Sequence, residues 1–184
     1  MTAKDGNEVL AQLVTILNRH ELPYMLVGSY SSNAYGIPRA TKDADLVVGT
    51  LRETFDMIGS ALGNDYQTDS QTEFELITGT VRRAIRFVPL NFVLEIFQLS
   101  DDAFDQSRFN RRVKVHSSVL GESIWLPTAE DVIVQKIRWS RPQELLDAEN
   151  VMAVQGDALD WSYISRWTDL HGTTPTLDQI RSSL

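Results

Sequence analysis

Two short apolar runs constrain this chain more than any other feature, because each ends in polar groups that a buried strand tolerates only for a reason. Leu26-Val27 runs into Gly28-Ser29; thirteen residues later Asp43-Ala44-Asp45 leads into Leu46-Val47-Val48. Tyr24–Val27 and Ala44–Val48 both read as buried strands. Alternate residues of a strand share a face, so Asp43 and Asp45 lie roughly 6.5–7 Å apart on one side. Like charges at that spacing need a cation, an arginine or solvent. Carboxylates of this kind hold divalent metal in phosphoryl and nucleotidyl transfer. Gly28-Ser29 stands between a strand and a short helix expected over 30–36. Glycine there lets backbone approach a phosphate, and a helix N-terminus favours an anion. An isolated Asp-x-Asp also occurs where a strand starts in a solvated turn, and an isolated Gly-Ser says less still. Both together, each on an apolar strand, are far more specific.

The rest of the chain is consistent with one globular unit. It has 184 residues, 42% of them apolar and 23% charged, near globular averages. It has no Cys, which excludes disulfide scaffolds, zinc ribbons and thiol nucleophiles. His20, His116 and His171 are too scattered to offer metal-ligand spacing. The formal net charge is −8, which argues against a globally basic nucleic-acid binder. From Arg82 to Arg141, however, ten Lys/Arg face seven Asp/Glu, so a local basic face stays open. No apolar run reaches the roughly 18 residues of a membrane span, and the N-terminus lacks a signal-peptide core. A cytoplasmic location is the default expectation.

Periodicity predicts a helix over 8–19 capped by Asn7, a helix over 51–62, and strands over 74–77, 81–87 and 91–97. In the last strand Phe92, Leu94 and Ile96 face one side; Asn91, Val93, Glu95 and Phe97 face the other. Glu95 is the only acid within this apolar run, and a lone buried carboxylate is costly without a cation. A helix over 101–109 and strands over 113–116 and 123–126 follow. Thr128 with Asp131 forms a capping pattern for a helix to about Ser140. Pro142 suits the first turn of the next helix, to about Val154. Helices over 160–170 and 176–184 complete the chain, with His171 at a helix end before Gly172.

Val27-Gly28-Ser29, the thirteen-residue gap and Asp43-Ala44-Asp45-Leu46 resemble the signature of the nucleotidyltransferase superfamily that includes DNA polymerase β. The gap sits at the upper end of that family's range. The resemblance implies a third carboxylate on a later strand, where Glu95 stands in place of the more usual Asp. The segment Leu126-Pro127-Thr128-Ala129-Glu130-Asp131 through Lys136, with Arg141-Pro142 and Asp147, resembles minimal nucleotidyltransferases of the AbiEii-toxin-like group. There a helix lysine is thought to meet the triphosphate, with a later aspartate near it; Lys136 and Asp147 match. From the residues alone, Lys136 reads more readily as an ordinary surface lysine.

The expected architecture is therefore an α/β (α+β) fold, a small mixed β-sheet flanked by helices. Residues 1–126 would form the core and 127–184 a helical segment packed on it. The resemblance implies transfer of an NMP from an NTP, with Mg²⁺ or Mn²⁺, to an RNA (tRNA) or protein acceptor, in a toxin–antitoxin setting with a cognate toxin or antitoxin. Alternatives are a degenerate binding module, an adenylylating antitoxin and a small-molecule nucleotidyltransferase of the aminoglycoside type. Asp43, Asp45 and Glu95 would be catalytic and hold the metal. Gly28, Ser29, Lys42, Lys136 and Asp147 would bind nucleotide. Arg39 and Lys42 could reach phosphate or neutralise Asp43 and Asp45. Arg108, Arg111, Arg112, Lys114 and His116 form a basic stretch, read either as a solvated strand edge or as an RNA contact. Tyr30, Tyr35 and Phe97 could stack a base or fill the core. Trp125, Trp139, Trp161 and Trp167 read as packing for the helical tail.

Overall fold

The computed structural model describes residues 3–69 and 71–184. Helix α1 (Gly6–Arg19) buries Val9, Leu10, Leu13, Val14 and Leu17 along one stripe. Its cap is Asp5, whose side chain accepts from the Glu8 N–H at 2.9 Å; Asn7 lies inside the helix and accepts from the Tyr30 hydroxyl. Asp and Asn cap about equally well, so the sequence pattern did not separate them.

Strand β1 (Tyr24–Val27) turns at once into α2 (Gly28–Tyr35), two residues earlier than the pattern predicts. There follow β2 (Asp43–Val48), α3 (Leu51–Ala61), β3 (Tyr66–Thr68), β4 (Glu73–Glu75), β5 (Thr80–Phe87) and β6 (Phe92–Gln98). The sheet order is β1-β2-β6-β5-β3, with β4 also pairing β5. The β2–β6 pair is parallel and its neighbours are antiparallel, so the sheet is mixed as expected. Strand β3 had no clear signal in the sequence, because it is three residues long and mostly exposed.

Period-2 alternation sorts the two faces. Ala44, Leu46 and Val48 of β2 and Phe92, Leu94 and Ile96 of β6 pack with α1 and α3 in the main core. Asp43 and Asp45 of β2 and Glu95 of β6 therefore fall on the opposite face. There Met25, Val47, Phe97 and Phe109 form a small apolar patch beside α4 (Ala103–Arg111).

A hairpin of β7 (Val113–Ser117) and β8 (Glu122–Leu126) leads into the last four helices. These are α5 (Ala129–Trp139), α6 (Pro142–Gln155), α7 (Trp161–His171) and α8 (Thr174–Ser183). Thr128 caps α5, accepting from the Asp131 N–H and donating to the Asp131 carboxylate. The cap matters because α5 carries Lys136 and Trp139 to the acidic face of the sheet. His171 ends α7 and Gly172 closes it in the left-handed region, φ 68°. Trp167 and Trp161 pack among these helices, joined by Phe104 of α4 and Tyr35 of α2. Trp125 instead packs against the main sheet core, a correction to its expected place in the tail. Among the described residues no helix is long and apolar enough to cross a membrane.

Candidate active site

The acidic face of the sheet, the α2 turn and helices α4–α6 enclose a cavity of about 170 Å³. Gly28, Asp43, Asp45, Glu95 and Lys136 all line it, as do Arg82, Trp139, Arg141 and Glu144. Five of the eight residues expected at the site are thus brought to one cavity. Ser29 and Asp147 lie just behind its wall. Lys42 is exposed and does not line it.

Strand register explains the convergence. Val27 on β1 stands opposite Asp45 on β2, and Asp45 stands opposite Glu95 on β6. Gly28 leaves β1 with φ +59°, and a Cβ there would lie 2.0 Å from Asp45 Oδ2. The glycine is thus required by the carboxylate itself, as well as by the left-handed turn.

Asp45 carries the main electrostatic tension of the site. Burial, then the nearby charges of Glu95 and Asp43, push it up to about 7, against the opposing pull of Lys136. Asp43 is exposed, and its Oδ1 accepts from the Thr41 hydroxyl at 2.6 Å. Glu95 Oε2 accepts from Arg82 Nη1 at 2.6 Å. Arg82 also forks onto Glu73 Oε2, from Nε at 3.0 Å and Nη2 at 2.7 Å. Carboxylates are hard oxygen donors of the kind Mg²⁺ and Mn²⁺ take. In this arrangement, among the described residues, no three His, Cys, Asp or Glu side chains converge as a ready cation cage. Asp43 and Asp45 fit such an ion; Glu95 is turned toward Arg82.

A second knot ties the helices to the turn. Asp147 on α6 accepts from Arg39 Nε and Nη2 at 2.8 and 2.9 Å, Lys136 Nζ at 2.8 Å and Gln143 Nε2 at 3.1 Å. Arg39 Nη2 also donates to Ser29 Oγ at 2.9 Å, and Ser32 Oγ donates to Asp147. Burial alone would raise Asp147, but the hydrogen bonds from Arg39 and Lys136 hold it well below the usual carboxylate range. Lys136 also meets Glu144 at 2.5 Å and is buried. It is therefore no surface lysine. Arg39 neutralises Asp147 and pairs with neither Asp43 nor Asp45, which sets aside one of its two expected roles.

The basic stretch does not form one exposed face. Arg108 is buried on Asp105, Arg111 stacks over Tyr163 and reaches Asp131, and Arg112 lies over Phe109 and Trp125. Tyr30 and Tyr35 pack into the two cores, whereas Phe97 lines the cavity. Sequence reasoning missed Arg82 and Glu144. Alternation along 80–87 put Arg82 on the face of Ala84, and a hairpin with β6 would have placed it beside Glu95. Glu144 had no signal, because only the packing of α6 on α5 brings it to Lys136.

No family model matches the sequence, and no curated protein matches it. Solved structures do. ANT(2'')-Ia in complex with adenylyl-2''-tobramycin superposes with TM-score 0.62 at 9% identity, covering 90% of this chain and 98% of that one. An antigenic nucleotidyltransferase-like protein from Paracoccidioides brasiliensis gives TM-score 0.56 at 17% identity, covering 98% and 93%. The lincosamide antibiotic adenylyltransferase LnuA, lincomycin-bound, gives 0.55 at 11%, covering 82% and 98%. The chain has the nucleotidyltransferase fold.

Two outcomes follow from this geometry. Gly28→Ala combines positive φ with overlap on Asp45, whereas Gly172→Ala meets nothing within 4 Å. Both lose the about 1–3 kcal/mol of a strained backbone, and Gly28→Ala loses more, as urea unfolding will read. Asp45 binds its proton more tightly folded than unfolded, so it makes the fold less stable as pH rises from about 4 to about 7. Metal-free Asp45→Asn is therefore expected to melt above wild type at pH 8, with the gap shrinking toward pH 4.

Proposed function

We propose that this chain is a metal-dependent nucleotidyltransferase, moving an NMP from an NTP to an acceptor hydroxyl and releasing pyrophosphate. The observation that carries the reading is Asp45. Its carboxylate is pressed between Asp43, Glu95 and the Gly28 turn in a cavity of the nucleotidyltransferase fold. Asp43 and Asp45 would hold Mg²⁺ or Mn²⁺, with Glu95 adjoining. The ion, when bound, supplies positive charge against the transferring phosphoryl group.

The chain's own residues divide the remaining work. The β/γ-phosphates would lie at the Gly28–Ser29 turn, where Arg39 already holds Ser29 Oγ. Lys136 would meet them from α5, exchanging its contact with Glu144 for a phosphate oxygen. The acceptor oxygen forms a bond to the α-phosphorus as the bond from that phosphorus to the β-phosphate oxygen breaks. The acceptor's proton passes to Glu95, the carboxylate on the side away from Gly28. Asp147 orients Arg39 and Lys136 and touches no reactant.

The acceptor class has two readings, each with its own support. The match of Lys136 and Asp147 to the AbiEii-like pattern favours RNA, tRNA included, or a protein, in a toxin–antitoxin pair. The fold neighbours solved with adenylyl-tobramycin and lincomycin favour a small molecule.

The test is transfer of label from each α-³²P-labelled NTP, with Mg²⁺, to cellular RNA, cellular protein, tobramycin or lincomycin. Wild type should label one class and release pyrophosphate, and Asp45→Asn should do neither. Undiminished labelling by Asp45→Asn would remove the metal assignment. No labelling, combined with no Mg²⁺-dependent rise in melting temperature with any NTP, would leave a binding module.

A further inference from the structure

On β5, Ala84 stands opposite Glu95, so Arg82, two residues away, shares the face of Glu95 and is its diagonal neighbour. Such diagonals are within reach of long side chains. On the other side of Glu95, directly opposite on β2, stands Asp45. Glu95 thus lies between a like charge and a guanidinium, and its carboxylate has gone to the guanidinium, at 2.6 Å. The extra methylene of Glu over Asp gives it that reach. Arg82 is in turn fixed from the β4 side by two bonds to Glu73, with its Cζ 5.8 Å from the centre of the Phe97 ring. Arg82, Glu95 and Phe97 together line the end of the cavity away from Gly28.

We infer that Arg82 is a positioning residue that reserves Glu95 for the acceptor, leaving Asp43 and Asp45 as the protein's carboxylate ligands to the metal. The inference rests on the nucleotidyl-transfer reading and deepens it by separating two roles that one carboxylate was expected to combine. Two aspartates already match the charge of one divalent cation. A third carboxylate there would have to abandon a charge-assisted bond to Arg82 and approach the like charge of Asp45. Held where it is, Glu95 faces the end of the cavity that an acceptor would enter, and its free Oε1 can take the acceptor's proton.

The probe is Mn²⁺ alone, with free ion read by its electron paramagnetic resonance signal in titrations of folded protein. Asp45→Asn should weaken binding by about tenfold or more, whereas Glu95→Gln should stay within about twofold of wild type. Arg82→Gln should bind Mn²⁺ more tightly, because the released Glu95 can join the ion. Adding Glu95→Gln to it should return affinity to wild type. Arg82→Lys, which keeps a cation beside Glu95, should bind as wild type does. A loss of about tenfold in Glu95→Gln would overturn the inference. So would an Arg82→Gln affinity equal to wild type, or a gain that persists in the double variant. If wild type binds no Mn²⁺ and Asp45→Asn changes nothing, the metal reading itself fails, and this inference with it.

Discussion

Negative charge concentrated on one face of a small sheet is the constraint around which this molecule is arranged. The parallel β2–β6 ladder sets Asp45 against Glu95 in register, and Asp43 follows on the same face. Hydrophobic alternation leaves them no alternative, because a one-residue slip would send Leu46, Leu94 and Ile96 out of the core. The acidic cluster is therefore enforced by burial on the reverse side of the sheet. Its electrostatic cost is carried locally: Arg82 takes Glu95, the Thr41 hydroxyl bonds Asp43, and Asp45 is left strained and hard to ionise.

The helices complete the cavity through a second balance of charge. Asp147 gathers Arg39 from the loop after α2 and Lys136 from α5, so one carboxylate aligns two cations from distant parts of the chain. Through Arg39 it also touches Ser29 at the turn. Breaking a buried pair of this kind by removing one partner leaves an uncompensated charge, which is why such networks hold elements in fixed relation. Here the relation is between the glycine turn and α5, the two walls where phosphate would bind in the proposed reaction. The cations thus stand at one end of the acidic row and Arg82 at the other, giving the cavity a direction.

Much of this was legible in the residues. Alternation in Phe92–Phe97 fixed which side chains face the core, and with it the position of Glu95. Gly28-Ser29 and Asp43-Ala44-Asp45 marked the ends of two neighbouring strands. Legibility failed where tertiary packing decides. Lys136 sits in an unremarkable stretch of helix, and it is buried only because α6 brings Asp147 and Glu144 to it. Arg39 is nearer in sequence to Asp43 than to Asp147, yet it binds Asp147, because the loop folds back across α2. The arginines after Arg108 read as one basic run, but helix and strand geometry sends them to different partners. Short edge strands such as β3 carry too few buried residues to leave a periodic trace.

The acidic face and its metal role both turn on the charge state of Asp45, which can be read by carbon NMR of the labelled aspartate carboxyl groups across a pH titration. Without metal the Asp45 signal should titrate near 7, well apart from those of exposed aspartates, and added Mg²⁺ should shift it to lower pH. An Asp45 that titrates near the ordinary value of about 4, with no response to Mg²⁺, would contradict both the strained acidic face and the metal role built upon it.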